Sequence, residues 1–518
     1  MPKVKINGKD VEVAPGTTAI KACIDQGAFV PHYCWHPGLT PAGNCRMCLV
    51  KVSNSRKLEV SCMYPCSEGL EITTEGPDVA KARQDVLEFL LINHPLDCPI
   101  CDKAGECDLQ DFTFKYRNGY TRFVEPKNIR HTKDLGPNIR IWGNRCIACS
   151  RCVRFCEEIA GTGELALVDR GDRCVVDTFP GVPIDNPLSL NVVDICPVGA
   201  LIDKNFMFQA RVWFAEDTPT TCASCSRGCN ASITSLDGEV KRIIARENAD
   251  VNKYWMCDEG RLNFGYVASE RRLRAGRGTA SELGGAAAAI AQEHGPGSMA
   301  GLVSTYQTVE EIWLFRKLMT ALSAETVGVL SQTRGERQKF PGGFTIEADK
   351  TPNRTFAESV FGAETVAVGA NRVIADIFAG KIKGLVVVNG IPDFTYPADF
   401  VRACEDLEFL ALIDLMDSPL ARRAHVLLPA AAWAEKDGTF LNVDRRVQRI
   451  RRAIPPPSAA QPELDLLQSA LVELKVRERV MSAESVFREV AGELAPFAGL
   501  DYGKVGMRGV ALSNGAPK

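Results

Sequence analysis

Apolar positions alternate from the start of the chain. Val4 and Ile6, then Val11 and Val13, flank the pair Asn7-Gly8. Period-two spacing around Asn-Gly predicts a β-hairpin with a two-residue turn. After Pro15-Gly16, the run Ala19 to Ile24 predicts a short helix with Thr17 or Thr18 at its N-cap, before a loop that opens at Pro31. Val79, Ala80, Ala82, Val86, Phe89, Leu90 and Leu91 fall at helical spacing and predict an amphipathic helix over 79–93 that stops before His94-Pro95. From 120 to 215 the apolar runs are short and separated by loops. Val212-Trp213-Phe214 and Ala231-Ser232-Ile233 predict strands leading into and out of a cysteine group.

The pattern changes near residue 272. Gly284 to Ile290 predicts helix, Met299 to Val303 strand, and Val309 to Leu322 helix. Gly384 to Gly390 and Phe409 to Asp414 are uninterrupted apolar runs with a helix between them, as in parallel βαβ units buried on both faces. Pro455-Pro456-Pro457 interrupts the chain before a last helical stretch, and the tail after Leu500 is expected to be loose. The fold class expected is multidomain, α+β followed by α/β. Five segments are expected, at 1–78, 79–118, 119–214, 215–271 and 272–518.

Composition adds little until the cysteines are counted. With 518 residues, the chain exceeds what one core supports. Apolar content of 45%, charged content of 24% and a net charge of -3 give no reason to expect a nucleic-acid partner. No apolar run is long enough to span a bilayer, and the start lacks a signal-peptide core, so a soluble cytoplasmic chain is expected. Of its 20 cysteines only Cys404 lies beyond Cys257, and Cys404 is expected to be buried on a helix. Dense C-x2-C spacing in a long cytosolic chain points to metal ligation rather than disulfides.

The cysteines fall into four sets. Cys34, Cys45 and Cys48, with Cys62 or Cys66 as fourth member, suit a 2Fe-2S cluster, and Gly43 permits the bend around it. Hairpin, helix and cysteine loop follow in the order of a plant-type ferredoxin. Cys98, Cys101 and Cys107 leave a 4Fe-4S cluster one ligand short, and His94 supplies an imidazole four residues upstream. Cys146, Cys149, Cys152 and Cys156 form the run C-x2-C-x2-C-x3-C, with a distant Cys196-Pro197; the first three with Cys196 suit one 4Fe-4S cluster. Cys156 and Cys174 are left without a role. Cys222, Cys225, Cys229 and Cys257 suit a further 4Fe-4S cluster. Zinc held by the same donors is the chemical rival for the second and fourth sets.

Taken in order, with His94 to Cys107, Arg145 to Cys152 and Asn191 to Ala200, these sets resemble the large iron-sulfur subunit family of respiratory complex I, the bacterial NADH-quinone oxidoreductase. The resemblance favours Cys62 over Cys66. It implies an N-terminal β-grasp ferredoxin-like domain, small iron-sulfur domains, and one 2Fe-2S with three 4Fe-4S clusters. It further implies that electrons from a flavin/NADH-binding subunit pass through the Cys146 and His94 clusters to quinone-side iron-sulfur subunits. The chain would then lie on the cytoplasmic side of the cell membrane, touching it only through the complex. Residues 215–460 are similar to molybdopterin oxidoreductases, with Ala424 to Ala430, Glu435 to Asn442 and Arg445 to Gln448 resembling a late motif of that superfamily. That C-terminal domain is short for a working pterin enzyme, so no molybdenum cofactor is expected. No G-x-G-x-x-G follows a strand, which places NADH on another chain. An NAD-linked formate dehydrogenase or hydrogenase subunit and a zinc-stabilised scaffold are the alternatives.

Overall fold

The computed structural model describes residues 1–116 and 121–513. They group into two compact units, Met1–Ala215 with Phe340–Phe344, and Glu216–Lys339 with Thr345–Lys518. The boundary expected at 118–119 lies outside the described residues. Nothing in the sequence marks 340–344 as part of the first unit.

The first unit opens on the hairpin Lys3–Ile6 and Lys9–Glu12, in which Ile6 pairs with Lys9 across Asn7-Gly8. Both turn residues have positive φ, 49° and 85°, matching the twist of the paired strands. Lys3–Ile6 also pairs in parallel with Glu71–Thr73, within a five-stranded sheet that includes Leu49–Val52 and Glu59–Val60. The helix Ala19–Asp25 buries Ile20 against Val4, Ile6 and Val50. Thr18 is its N-cap, but its side chain does not cap. The N–H groups of Ala19 and Ile20 donate instead to the carbonyls of Tyr64 and Ser61, which ties the helix start to the segment carrying Cys62.

Two further helices, Pro77–Leu91 and Asp108–Tyr116, bracket the second cysteine set. The strands Thr132–Asp134, Ile139–Trp142 and Leu201–Asp203 form a small antiparallel sheet behind the third. The strand expected at Val212–Phe214 is a single 3-10 turn. Among the described residues, no strand pairs with it: the Arg211 guanidinium holds the chain to the carbonyls of Pro99 and Cys101, and Val212 and Trp213 pack over Gly105. The strand that leads to the fourth set is Glu216–Thr221.

The second unit contains a five-stranded sheet in the order Thr326–Leu330, Met299–Ser304, Gly384–Val388, Phe409–Asp414 and Val426–Pro429, every pair parallel. Its three central strands are buried along their whole length, as expected for a sheet with both faces covered. Ala280–His294 and Val309–Ala321 are the expected helices, each opened by a capping box, Thr279 with Glu282 and Thr308 with Glu311. The tail is not loose through residue 513. Tyr502–Val505 is a helical turn whose Tyr502 hydroxyl donates to buried Glu310, and Val510–Ala511 adds a strand beside Arg446–Ile450. A buried hydrogen bond and a strand edge anchor it.

Candidate iron-sulfur sites

Cys34, Cys45, Cys48 and Cys62 meet at the end of the first sheet. Cys34, Cys48 and Cys62 are almost fully buried. Gly43 and Arg46 both take positive φ in the loop between Cys34 and Cys48. The Cys34 N–H donates to Cys45 Sγ at 3.4 Å. Thiol contacts with Cys45 and Cys62 hold Cys34 far below the usual thiol range, and the contact with Cys62 lowers Cys48 to about 7. Cys45 and Cys62, the donors in these contacts, are pushed up. Cys66 is not among these thiol contacts; its thiol neighbour is Cys23, which burial pushes up to about 12.

His94, Cys98, Cys101 and Cys107 line one small cavity, with Arg145 and Gly199 in its wall. His94 follows directly on the helix that the sequence predicts, and its buried Nδ1 has no hydrogen-bond partner. Burial, and then the Arg145 charge, lower His94 to about 4, so the ring is neutral and free to act as a donor to a metal. Arg145 is 1% exposed, pairs with Asp97 at 2.9 Å and lies over the Trp142 ring at 4.2 Å. A Cβ at Gly199 would stand 2.2 Å from Cys101 Sγ, so only glycine lets the backbone come this close to the thiol.

Cys146, Cys149, Cys152 and Cys196 line a second small cavity. Ala148 and Ser150 both take positive φ, 51° and 60°, and turn the chain on either side of Cys149. Burial pushes Cys149 up to about 12, with Arg151 acting in the opposite direction. Cys156 is absent from this lining; it is fully buried, on the wide turn Phe155–Ala160. Cys174 is half-buried at the end of the turn Gly171–Arg173.

These three sites adjoin one another. Arg154 donates to the carbonyls of Cys34 and Thr40, Arg151 to those of Trp35 and Ile195, and Asn44 to that of Ala148 at 3.4 Å. Pro197, next to Cys196, accepts at its carbonyl from the Cys107 thiol at 3.8 Å and from the Asp108 N–H at 3.1 Å. His94 and Cys146 line a common cleft.

In the second unit, Cys222, Cys225, Cys229 and Cys257 are all buried. The Cys222 N–H donates to the Cys229 carbonyl at 2.8 Å, and Cys257 Sγ caps the helix Asp258–Leu262 by accepting from Gly260 N–H at 3.4 Å. A Cβ on Gly260 would lie 3.0 Å from Cys222 Sγ and 3.5 Å from Cys257 Sγ, so these two thiols face one point. The segment resembling the late molybdopterin-oxidoreductase motif backs this loop. Gln448 Nε2 donates to the Gly228 carbonyl at 2.8 Å and to Asn230 Oδ1 at 2.7 Å, and Asn442 donates to the Arg227 carbonyl. Trp433 donates to the Thr221 carbonyl at 2.8 Å. Among the described residues, no three His, Cys, Asp or Glu side chains converge on a position for a single ion.

Family models match five consecutive stretches. They describe a 2Fe-2S iron-sulfur cluster binding domain at 2–77, the NADH-ubiquinone oxidoreductase-G iron-sulfur binding region at 83–122, and the ferredoxin-like domain of NADH-quinone oxidoreductase subunit 3 at 136–202. The molybdopterin oxidoreductase Fe4S4 domain matches 215–269 and molybdopterin oxidoreductase matches 362–472. The G subunit of NADH-quinone oxidoreductase from Rickettsia felis is 28% identical over 97% of this chain and 92% of its own length. The protein of the same name from Rickettsia bellii is 36% identical over 74% of this chain and 57% of its own. The 75 kDa subunit of NADH-ubiquinone oxidoreductase from Reclinomonas americana is 39% identical over 64% and 50%. The chain belongs to the G-subunit family of NADH-quinone oxidoreductase. In this member of the G-subunit family, the residues that sequence reasoning passed over are cationic. Arg145, Arg151 and Arg154 stand beside cysteines in the sequence, and it is their burial that singles out their side chains.

Proposed function

We propose that this chain is the iron-sulfur electron carrier of a complex I, taking electrons that originate at a flavin/NADH-binding subunit and delivering them to quinone-side iron-sulfur subunits. Cys34, Cys45, Cys48 and Cys62 hold a 2Fe-2S cluster. His94, Cys98, Cys101 and Cys107 hold a 4Fe-4S cluster, as do Cys146, Cys149, Cys152 and Cys196, and Cys222, Cys225, Cys229 and Cys257. Once bound, the clusters supply one-electron exchange without proton or atom transfer. The N-terminal domain is of the β-grasp ferredoxin type, and the C-terminal domain is a shortened molybdopterin-oxidoreductase fold without molybdenum.

The observation that carries this reading is the adjacency of three donor sets: the Cys34 loop on Arg151 and Arg154, and Cys196-Pro197 against Cys107. It supports the order Cys34 site, Cys146 site, His94 site. The orphaned Nδ1 of His94 suits a fourth cluster ligand. For the Cys222 site, Asn442 and Gln448 are already bonded to the cysteine loop, which supports a scaffold role for the late motif. Among the described residues, no helix is long and apolar enough to cross a membrane. Attachment on the cytoplasmic face through the complex follows from this reading.

Metal analysis with low-temperature EPR of the reduced full chain tests it. About 14 iron atoms per chain, one 2Fe-2S signal and no molybdenum are expected. Stoichiometric molybdenum with formate oxidation would replace this reading with the formate dehydrogenase one. Colourless, zinc-loaded protein would replace it with the scaffold.

A further inference from the structure

Arg151 and Arg154 are buried, 6% and 9% exposed. A guanidinium removed from water needs a counter-charge, because neutral acceptors recover only part of its lost hydration. Each of these has only neutral partners. Arg151 donates to the Ile195 carbonyl at 3.0 Å and the Trp35 carbonyl at 2.6 Å, and its Nε has no partner. Arg154 donates to Ser150 Oγ at 3.3 Å and to the carbonyls of Cys34 and Thr40. Among the described residues, neither forms an ion pair with a carboxylate. Glu158, one turn beyond Arg154, directs its oxygens to the Thr40 N–H and hydroxyl. Asp108 feels the charge of Arg151 without pairing to it.

The carbonyls chosen are not arbitrary. Cys34 is itself a proposed ligand, Trp35 follows it, and Ile195 precedes Cys196. Both cations thus sit on the ligand-bearing backbone of two sites. A thiolate-bound cluster carries net negative charge, and each reduction adds one more electron. Resting on the ligand assignment above, we propose that Arg151 and Arg154 are positioning residues that serve as the shared counter-charge of the Cys34 and Cys146 cluster sites. They stabilise the reduced form of each and so raise both potentials, while fixing the loop-to-helix junction between the sites. No proton is required in either step.

EPR-monitored redox titration of the full chain, with mediators and dithionite, tests this. Arg154→Gln should shift the oxidised-to-reduced ratio of the 2Fe-2S signal toward oxidised about tenfold at fixed potential, about 59 mV for one electron. Arg154→Lys, which keeps the charge, should restore most of that shift. Arg151→Gln should move the 2Fe-2S and Cys146-site signals in the same direction and leave the Cys222-site signal unmoved. Should Arg154→Gln fail to assemble, Arg151→Gln decides by the same criterion. Unmoved potentials in the Gln variants, or an equal shift in Gln and Lys variants, would overturn the inference while the ligand assignment stands. Absence of a 2Fe-2S signal from the unaltered chain would overturn the assignment, and this inference with it.

Discussion

The carbonyl of Pro197 accepts a hydrogen bond from the Cys107 thiol, so residues 90 apart in sequence join two cysteine sets through one peptide unit. The same turn brings Gly199 against Cys101. A methyl group there would lie 2.2 Å from the sulfur, with Lys103 Cβ at 3.1 Å on another side. Gly199→Ala is therefore expected to displace Cys101 and empty the His94 site. Iron should fall by about four atoms per chain, with the Cys222-site signal retained. Full iron content would show that the loop can yield.

The choice between Cys62 and Cys66 is open to direct test. Cys62 contacts two thiols of the first set, whereas Cys66 neighbours Cys23. Cys66→Ser should keep the 2Fe-2S signal at a stability cost of about 1 kcal/mol, from placing a hydroxyl in an apolar site. Cys62→Ser should abolish or strongly alter it. The reverse outcome would exchange their roles.

His94 is lowered to about 4 by burial and by Arg145, so it is neutral at every pH at which the protein would be handled. His94→Cys adds a negative charge to the ligand set. It should retain the cluster, lower its potential and change its spectrum. An unchanged EPR signal would remove the histidine from the ligand list.

Gln448 gives its amide to the carbonyl of Gly228 and to Asn230, and holds the Cys222 loop from behind. Gln448→Leu leaves the Gly228 carbonyl buried without a donor, while Asn230 Oδ1 keeps the Asn248 amide, a cost of about 1–3 kcal/mol. Urea unfolding should register the loss, and the Cys222-site cluster should become the most easily removed by chelator. A cluster no more labile than in the unaltered chain would detach the late motif from this role.

Glu310 is fully buried and accepts from Thr439 and Tyr502; desolvation raises its carboxyl from 4.5 to about 7. A raised carboxyl binds its proton more tightly in the folded state. Its contribution to stability is thus present below about pH 4.5 and is lost as pH rises through 7, on the order of 3 kcal/mol in all. Glu310→Gln removes the charge and keeps one acceptor oxygen for the Thr439 and Tyr502 hydroxyls, at the loss of the acceptor that faces the Thr439 N–H. The variant should show a smaller fall in thermal stability between pH 5 and 8 than the unaltered chain, and an equal fall would place the titration elsewhere.

Local sequence determined most of the chemistry. Cysteine spacing needs only a few residues to bring thiols to one turn, and the Asn7-Gly8 hairpin and the uninterrupted apolar strands depend on turn geometry and burial period. Those elements were legible for that reason. Val212–Phe214 was misread because its apolar side chains cover Gly105, a contact across more than 100 residues that no alternation encodes. The tail is held by contacts distant in sequence, the Tyr502 to Glu310 hydrogen bond and the pairing of Val510–Ala511 with Arg446–Ile450, which its own composition does not encode. Only the tertiary structure decided that Cys196-Pro197 lies against Cys107, and that, among the described residues, two arginines between cysteines are buried without an ion-pair partner. Spacing specifies donors; burial and long-range contacts specify the charges and distances around them, and these depend on packing rather than on neighbours in the chain.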